Sequence, residues 1–116
     1  MANTFKVKTN AAMPASAGTA DTIYTVPSST TTVVIGLTLC NVHTGAVTAS
    51  VKIESNTVDT ETNENVTVVK DASIPAGSSL ELLSGGKYVL QTTDVVKIDC
   101  SDSAKIDATL SIMEIT

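Results

Sequence analysis

Apolar and polar residues alternate with a period of two along most of this 116-residue chain, the pattern of strands that bury one face. In "AVTASVKIE", Val47, Ala49, Val51 and Ile53 point one way and Thr48, Ser50 and Lys52 the other. "DVVKIDC" sets Val96, Ile98 and Cys100 against Lys97 and Asp99, and "KIDATLSIMEI" sets Ile106, Ala108, Leu110 and Ile112 against Lys105, Asp107, Thr109 and Ser111. No useful length carries the 3.6-residue stripe of an amphipathic helix. Turn signals fall at strand-sized intervals: "VPSS", "NVHTGA", "ESNTVDTETNEN", "IPAGSS", "LSGGK", "QTTD" and "CSDSA". This punctuation predicts an all-β fold, an antiparallel β-sandwich (immunoglobulin-like or jelly-roll-like) of about eight or nine short strands.

One stretch departs from simple alternation. In "YTVPSSTTTVVIGLTLCN", Val33, Ile35, Leu37 and Leu39 fill one face, while Val34 and Cys40 lie on the other with Gly36 and Thr38. A strand apolar on both sides is central, or its outer face is covered. The expected core runs through Val33, Ile35, Leu37, Leu39, Val51, Ile53, Leu80, Leu82, Leu90, Val96, Ile98, Leu110 and Ile112. Val34 and Cys40 are expected on a face covered by the chain's own beginning or by another subunit.

The first 22 residues read as an extended arm, with the sandwich domain over residues 23–116. Phe5 and Val7 alternate with Lys6 and Lys8, so the start predicts a short strand that pairs along a sheet edge or a neighbour, with Phe5 and Val7 as interface residues. The small residues of "TNAAMPASAGTAD" have little to bury and predict a connector.

Composition sharpens this. Hydrophobic residues make up 42% of the chain but aromatics only 3%, so Val, Ile, Leu, Ala and threonine methyls must build the core. Net charge is −5, and all seven basic residues are lysines. Without arginine, bidentate readout of phosphate or guanine is lost, and without a basic patch interleaved with aromatics so is single-strand stacking. Nucleic acid is therefore not an expected partner. No run of roughly 18 apolar residues is present to span a membrane. The opening "MANTFKVKTN" lacks the apolar segment of a signal peptide, which predicts a chain made and kept in a cytosol. In that compartment Cys40 and Cys100 are expected as free thiols.

Candidate chemistry is thin. The single histidine, His43, sits in a turn without a nucleophile elbow or a Cys-His signature. One histidine and two distant cysteines do not make a zinc site. Asp94, Asp99, Asp102 and Asp107 are candidates for a paired-carboxylate glycosidase, but the aromatic platforms that accompany sugar cleavage are missing. "DTETNENVTVVK" spaces Asp59, Glu61, Asn63 and Asn65 like a calcium loop, yet Glu64 stands where the loop needs glycine and Lys70 where it needs a bidentate glutamate. Gly85-Gly86 fits a hairpin turn better than a phosphate cradle. No catalytic set, cofactor or metal site is expected.

The segments at residues 27–41, 74–80, 83–90, 94–98 and 110–115 carry a proline-opened strand ending in Asn, then "IPAGSSL", "LSGGKYVL", "DVVKI" and "LSIMEI". In this arrangement the chain resembles small virion structural proteins of tailed bacteriophages, especially phages of marine bacteria and cyanobacteria. The resemblance covers most of the chain beyond residue 22. It implies a many-copy, non-enzymatic part of the virion. The leading expectation is a decoration (cement) protein on the capsid surface, bound to the major capsid protein and self-associated, with a trimer as the expected oligomer. A tail, collar or baseplate component is the alternative, and a carbohydrate-binding adhesion module a second.

Overall fold

A computed structural model describes residues 2–55, 62–83 and 86–116. Among them the chain forms nine strands: β1 (Asn3–Met13), β2 (Asp21–Thr25), β3 (Thr31–Asn41), β4 (Val47–Glu54), β5 (Val66–Ile74), β6 (Ser79–Glu81), β7 (Tyr88–Leu90), β8 (Val95–Cys100) and β9 (Ile106–Ile115). They build two antiparallel sheets packed face to face, a β-sandwich. The first runs β1-β9-β3-β6, with β7 also on β3, and the second runs β2-β8-β4-β5.

The core lies where the inward positions of the two sheets meet. β9 buries Ile106, Ala108, Leu110 and Ile112, β8 buries Val96, Ile98 and Cys100, and β4 buries Val47, Ala49 and Val51, each on the face its alternation assigned. Leu37, Leu39 and Leu90 join them, while Ile53, Leu80 and Leu82 pack against the cluster from partly open positions.

The first half of β3 reverses the expected facing. Its register against β9 shifts between Val34 and Gly36. Before this bulge Thr32 and Val34 point inward; after it Leu37, Leu39 and Asn41 do. Val34 is 1% exposed and belongs to the core, whereas Ile35 is 36% exposed and Val33 faces outward, half-buried. Strict alternation from Leu37 back to Val33 fails because a bulge adds one residue and flips the facing on its two sides.

The beginning of the chain is a strand along a sheet edge, as the alternation of Phe5 and Val7 with Lys6 and Lys8 predicted. β1 pairs with β9 from Asn3↔Ile115 to Met13↔Ile106, so it is the edge strand of the first sheet, and the expected boundary at residue 22 falls inside β2. Backbone bonds hold it, because nearly every β1 side chain is exposed and only Met13 enters the core. The ladder bulges after Asn10, where Ala12 takes a φ of 56° and its N–H donates to Asp107 Oδ1 at 2.9 Å. A tight loop follows the cis Met13-Pro14 peptide, and Ala15 N–H donates to Asp21 Oδ2 at 2.7 Å. At the other end of β1 the two termini meet: Ala2 and Thr116 exchange N–H···O bonds of 3.0 Å each.

Buried polar groups fix the corners. Asn41, fully buried at the end of β3, donates through Nδ2 to the carbonyls of Gly45 and Ile74 (2.9 Å each) and accepts from His43 N–H at 2.8 Å. The Asn that closes this strand thus joins three segments at one point. Cys40 and Cys100 are both free; Cys40 is half-buried on the outer side of β3 and Cys100 lies inside the second sheet.

Candidate functional site

Residues directly opposite each other on neighbouring antiparallel strands share a face, so the registers assemble the outer surface of the first sheet row by row. Phe5 lies opposite Met113, Met113 opposite Val33, and Val33 opposite Val89. Four strands thus contribute one unbroken apolar row. Phe5 is 72% exposed and Val89 65%, with Met113 and Val33 half-buried between them. Beside the row lie Val7 (61% exposed), Ile35, pushed outward by the bulge, and Ile115. Toward one end the face turns polar through Thr9, Thr109 and Thr38, whose hydroxyl donates to Glu81 Oε2 at 2.6 Å.

The opposite outer surface has different chemistry. On the second sheet Lys52 pairs with Lys97 and with Thr67, Ser50 with Asp99, and Lys97 is bridged to Glu54 at 3.1 Å. A charged surface suits water. A row of Phe, Met and two Val loses free energy for as long as it stays wet. The two sides of the sandwich are built for different surroundings.

The interface residues expected from sequence divide accordingly. Phe5 and Val7 stand on the apolar face. Cys40 stands on the same face but at its polar end, opposite Asp107 and Ser79. Val34 does not belong to it, since the bulge carries it into the core. Val33, Val89 and Met113 are not among the residues that the sequence pattern marks for an interface. Their meeting with Phe5 depends on pairing between residues far apart in the chain, and the only local signal was a glycine inside an apolar run, a mark of a bulge.

A second feature lies between the sheets where β1 overhangs β2. Glu114 continues the inward series of β9 and is buried. Tyr24 Oη donates to its Oε2 at 2.5 Å, and Lys6 Nζ lies 2.7 Å from its Oε1. The phenol has one proton to give, so the 2.8 Å contact between Tyr24 Oη and Thr32 Oγ1 has Thr32 as donor. Burial, and then the Glu114 hydrogen bond, push the Tyr24 phenol up to about 12. The Lys6 and Tyr24 hydrogen bonds hold the Glu114 carboxyl below its ordinary value. The cleft above this network encloses about 300 Å³ and is lined by Lys6, Lys8, Tyr24, Pro27 and Glu114 among others. The Lys6–Glu114 pair across it ties β1 to the core.

Three of the acids considered for catalysis hold backbone N–H groups, and Asp102 holds neighbouring side chains. Asp99 Oδ1 accepts from Gly18 N–H at 3.0 Å and Cys100 N–H at 2.8 Å. Asp94 accepts from Gln91 N–H at 2.9 Å and from the Ser55 hydroxyl at 2.7 Å. Asp107 supports the β1 bulge. His43 Nε2 lies 3.6 Å from Asp102 Oδ2, and Ser101 Oγ donates to Asp102 Oδ1 at 3.0 Å. The structure thus brings His, Asp and Ser together as sequence spacing did not. The order is wrong for a nucleophilic relay, because the serine hydroxyl gives its proton to the carboxylate and not to the imidazole.

Asp59 and Glu61 of the calcium-like spacing and Gly85 of the glycine pair lie outside the described residues. Among the described residues no three His, Cys, Asp or Glu side chains cluster to hold a metal. A larger cleft, about 590 Å³, opens beside β5 and β7, lined by Tyr88, Asn63, Glu64 and Thr67 among others. Asn63 Nδ2 donates to Ser55 Oγ at 3.0 Å, so its amide serves the neighbouring turn. No family model, curated protein or solved structure matches this chain.

Proposed function

We propose that this chain is a non-enzymatic structural subunit of a tailed-phage virion, a capsid decoration protein bound to the shell of major capsid protein. The observation that carries the reading is the division of the sandwich into an apolar outer face and a charged one. A subunit built into an assembly needs one surface that a neighbouring subunit covers and one that stays open to solvent or to the shell. The virion assignment itself rests on the resemblance of the strand and turn segments to phage structural proteins. The structure adds a physical role for one of those segments, since the Asn that closes β3 is the buried junction of three backbone segments. The carboxylates that would serve an enzyme are engaged with backbone N–H groups or with neighbouring side chains, which fits a scaffold.

The test is the copy number of this chain in purified particles, read by quantitative mass spectrometry against the major capsid protein. A stoichiometry comparable to that of the shell protein supports decoration. A far lower one transfers the chain to the tail, collar or baseplate, and absence from particles overturns the virion reading.

A further inference from the structure

The apolar row has an order. From β1 to β7 it reads Phe5, Met113, Val33, Val89, two large side chains followed by two small ones. A two-fold axis lying in the contact plane and parallel to the strands reverses the order across the row and leaves height along the strands unchanged. Phe5 of one copy then meets Val89 of the other, and Met113 meets Val33. Large falls on small at all four positions. We propose that the outer face of the first sheet closes against the same face of a second copy of this chain about such an axis, making a two-fold dimer where the resemblance led to expectation of a trimer.

The surface has the size and charge for it. From the fractional exposures, the row and its flanking Val7, Ile35 and Ile115 offer an apolar patch of roughly 400–600 Å² per copy, at the upper end for a monomer. A standard contact takes about 800 Å² per partner, and homodimer contacts are about two-thirds apolar. The threonine and asparagine positions bordering the row, with Glu81 beyond Thr38 and Lys87 two residues before Val89, supply the remainder as a polar rim. Each copy carries a net charge of −5, so approach is least opposed through a face whose centre holds no ionisable group. Aligned face-to-face packing of two sheets is an ordinary β arrangement, with about 10 Å between layers. The inference rests on the assembly reading above and adds which surface meets which.

Sedimentation velocity on the isolated full chain tests it. The wild type is expected to run as a dimer at submillimolar concentration. Phe5→Lys and Val89→Glu are surface changes at exposed positions, so each variant is expected to keep the β circular dichroism of the parent. Each alone is expected to weaken self-association about tenfold or more, since a charge then meets an apolar side chain at both ends of the row. Mixed in equal amounts, they set the introduced lysine of one copy against the introduced glutamate of the other at one end of the row. The other end keeps Phe5 on Val89, so dimer is expected to return. A monomeric wild type overturns the proposal, as does a failure of the mixture to recover. Binding to undecorated particles is measured separately. Monomers that decorate shells refute the dimer and leave the virion reading standing, whereas dimers that ignore shells do the reverse.

Discussion

Replacing Val34 and Ile35 by alanine, one at a time, tests the β3 bulge directly. Val34 is 1% exposed, between the sheets. Cutting it to alanine removes two carbons, worth about 0.8 kcal/mol each in transfer free energy. The void left behind, some 40–50 Å³ if neighbours stay in place, adds about 1 kcal/mol at ~24 cal/mol per Å³. The expected loss is therefore about 2–3 kcal/mol. Ile35 is 36% exposed on the outer face, where water fills any space left by truncation, so no cavity term applies and the expected loss is about 1 kcal/mol. Under strict alternation the ranking is opposite: Ile35 is a core residue costing about 2–5 kcal/mol, and Val34 costs little. Urea denaturation at low protein concentration, followed by circular dichroism and fitted with a common slope, measures both. A larger loss for Ile35 than for Val34 refutes the bulge and, with it, the placement of Val33 in the apolar row.

Other expectations concern the polar supports. Glu114 is held below its ordinary value of 4.5, so its contribution to stability is complete above that pH and is lost as pH falls through the lower folded value. The urea midpoint should drop on acidification, and Glu114→Gln should flatten that part of the profile. Tyr24→Phe removes the phenol from a buried carboxylate and from Thr32, and should cost about 1–3 kcal/mol in the same melts at neutral pH. Asp107→Ala takes away the acceptor of the Ala12 N–H and should cost about 1 kcal/mol, with hydrogen exchange rising at residues 10–13. Met13→Ala, at the one β1 side chain in the core, should cost about 2–5 kcal/mol by thermal or urea melting.

The sandwich was legible because a half-buried strand writes its facing into every second residue. β4, β8 and β9 do this with Val, Ile and Ala against Lys, Asp, Ser and Thr, and their facing could be read directly. β3 could not be read this way, because Val33, Val34 and Ile35 are apolar on both parities and a bulge is a matter of pairing. β1 was hidden for another reason. Its attachment to β9 runs through N–H and C=O groups that every residue has, while its side chains are small, polar or exposed. Glu114 could have been found, since the "SIMEI" alternation puts it on the inward side after Ile106, Ala108, Leu110 and Ile112. Half of the candidate face was visible in Phe5 and Val7, which a solvent-exposed strand does not need. The other half, Val33, Met113 and Val89, exists only once four strands are in register.

The meeting of the two termini has a mechanical consequence. Because Ala2 and Thr116 are paired at one corner and β1 runs antiparallel to β9, a force applied between the chain ends acts across the ladder, not along it. Hydrogen bonds loaded this way open one at a time, as a zip does, instead of resisting together in shear. The fold is therefore weak toward tension applied at its ends, however stable it is toward denaturant. In the virion role proposed above, load is better carried through the sheet faces, where the strain spreads over the packed core. Optical-trap pulling shows the contrast directly, with handles at the termini giving low rupture forces and handles at Asn3 and Ile106, which lie at opposite ends of the β1–β9 ladder and load it in shear, giving high ones.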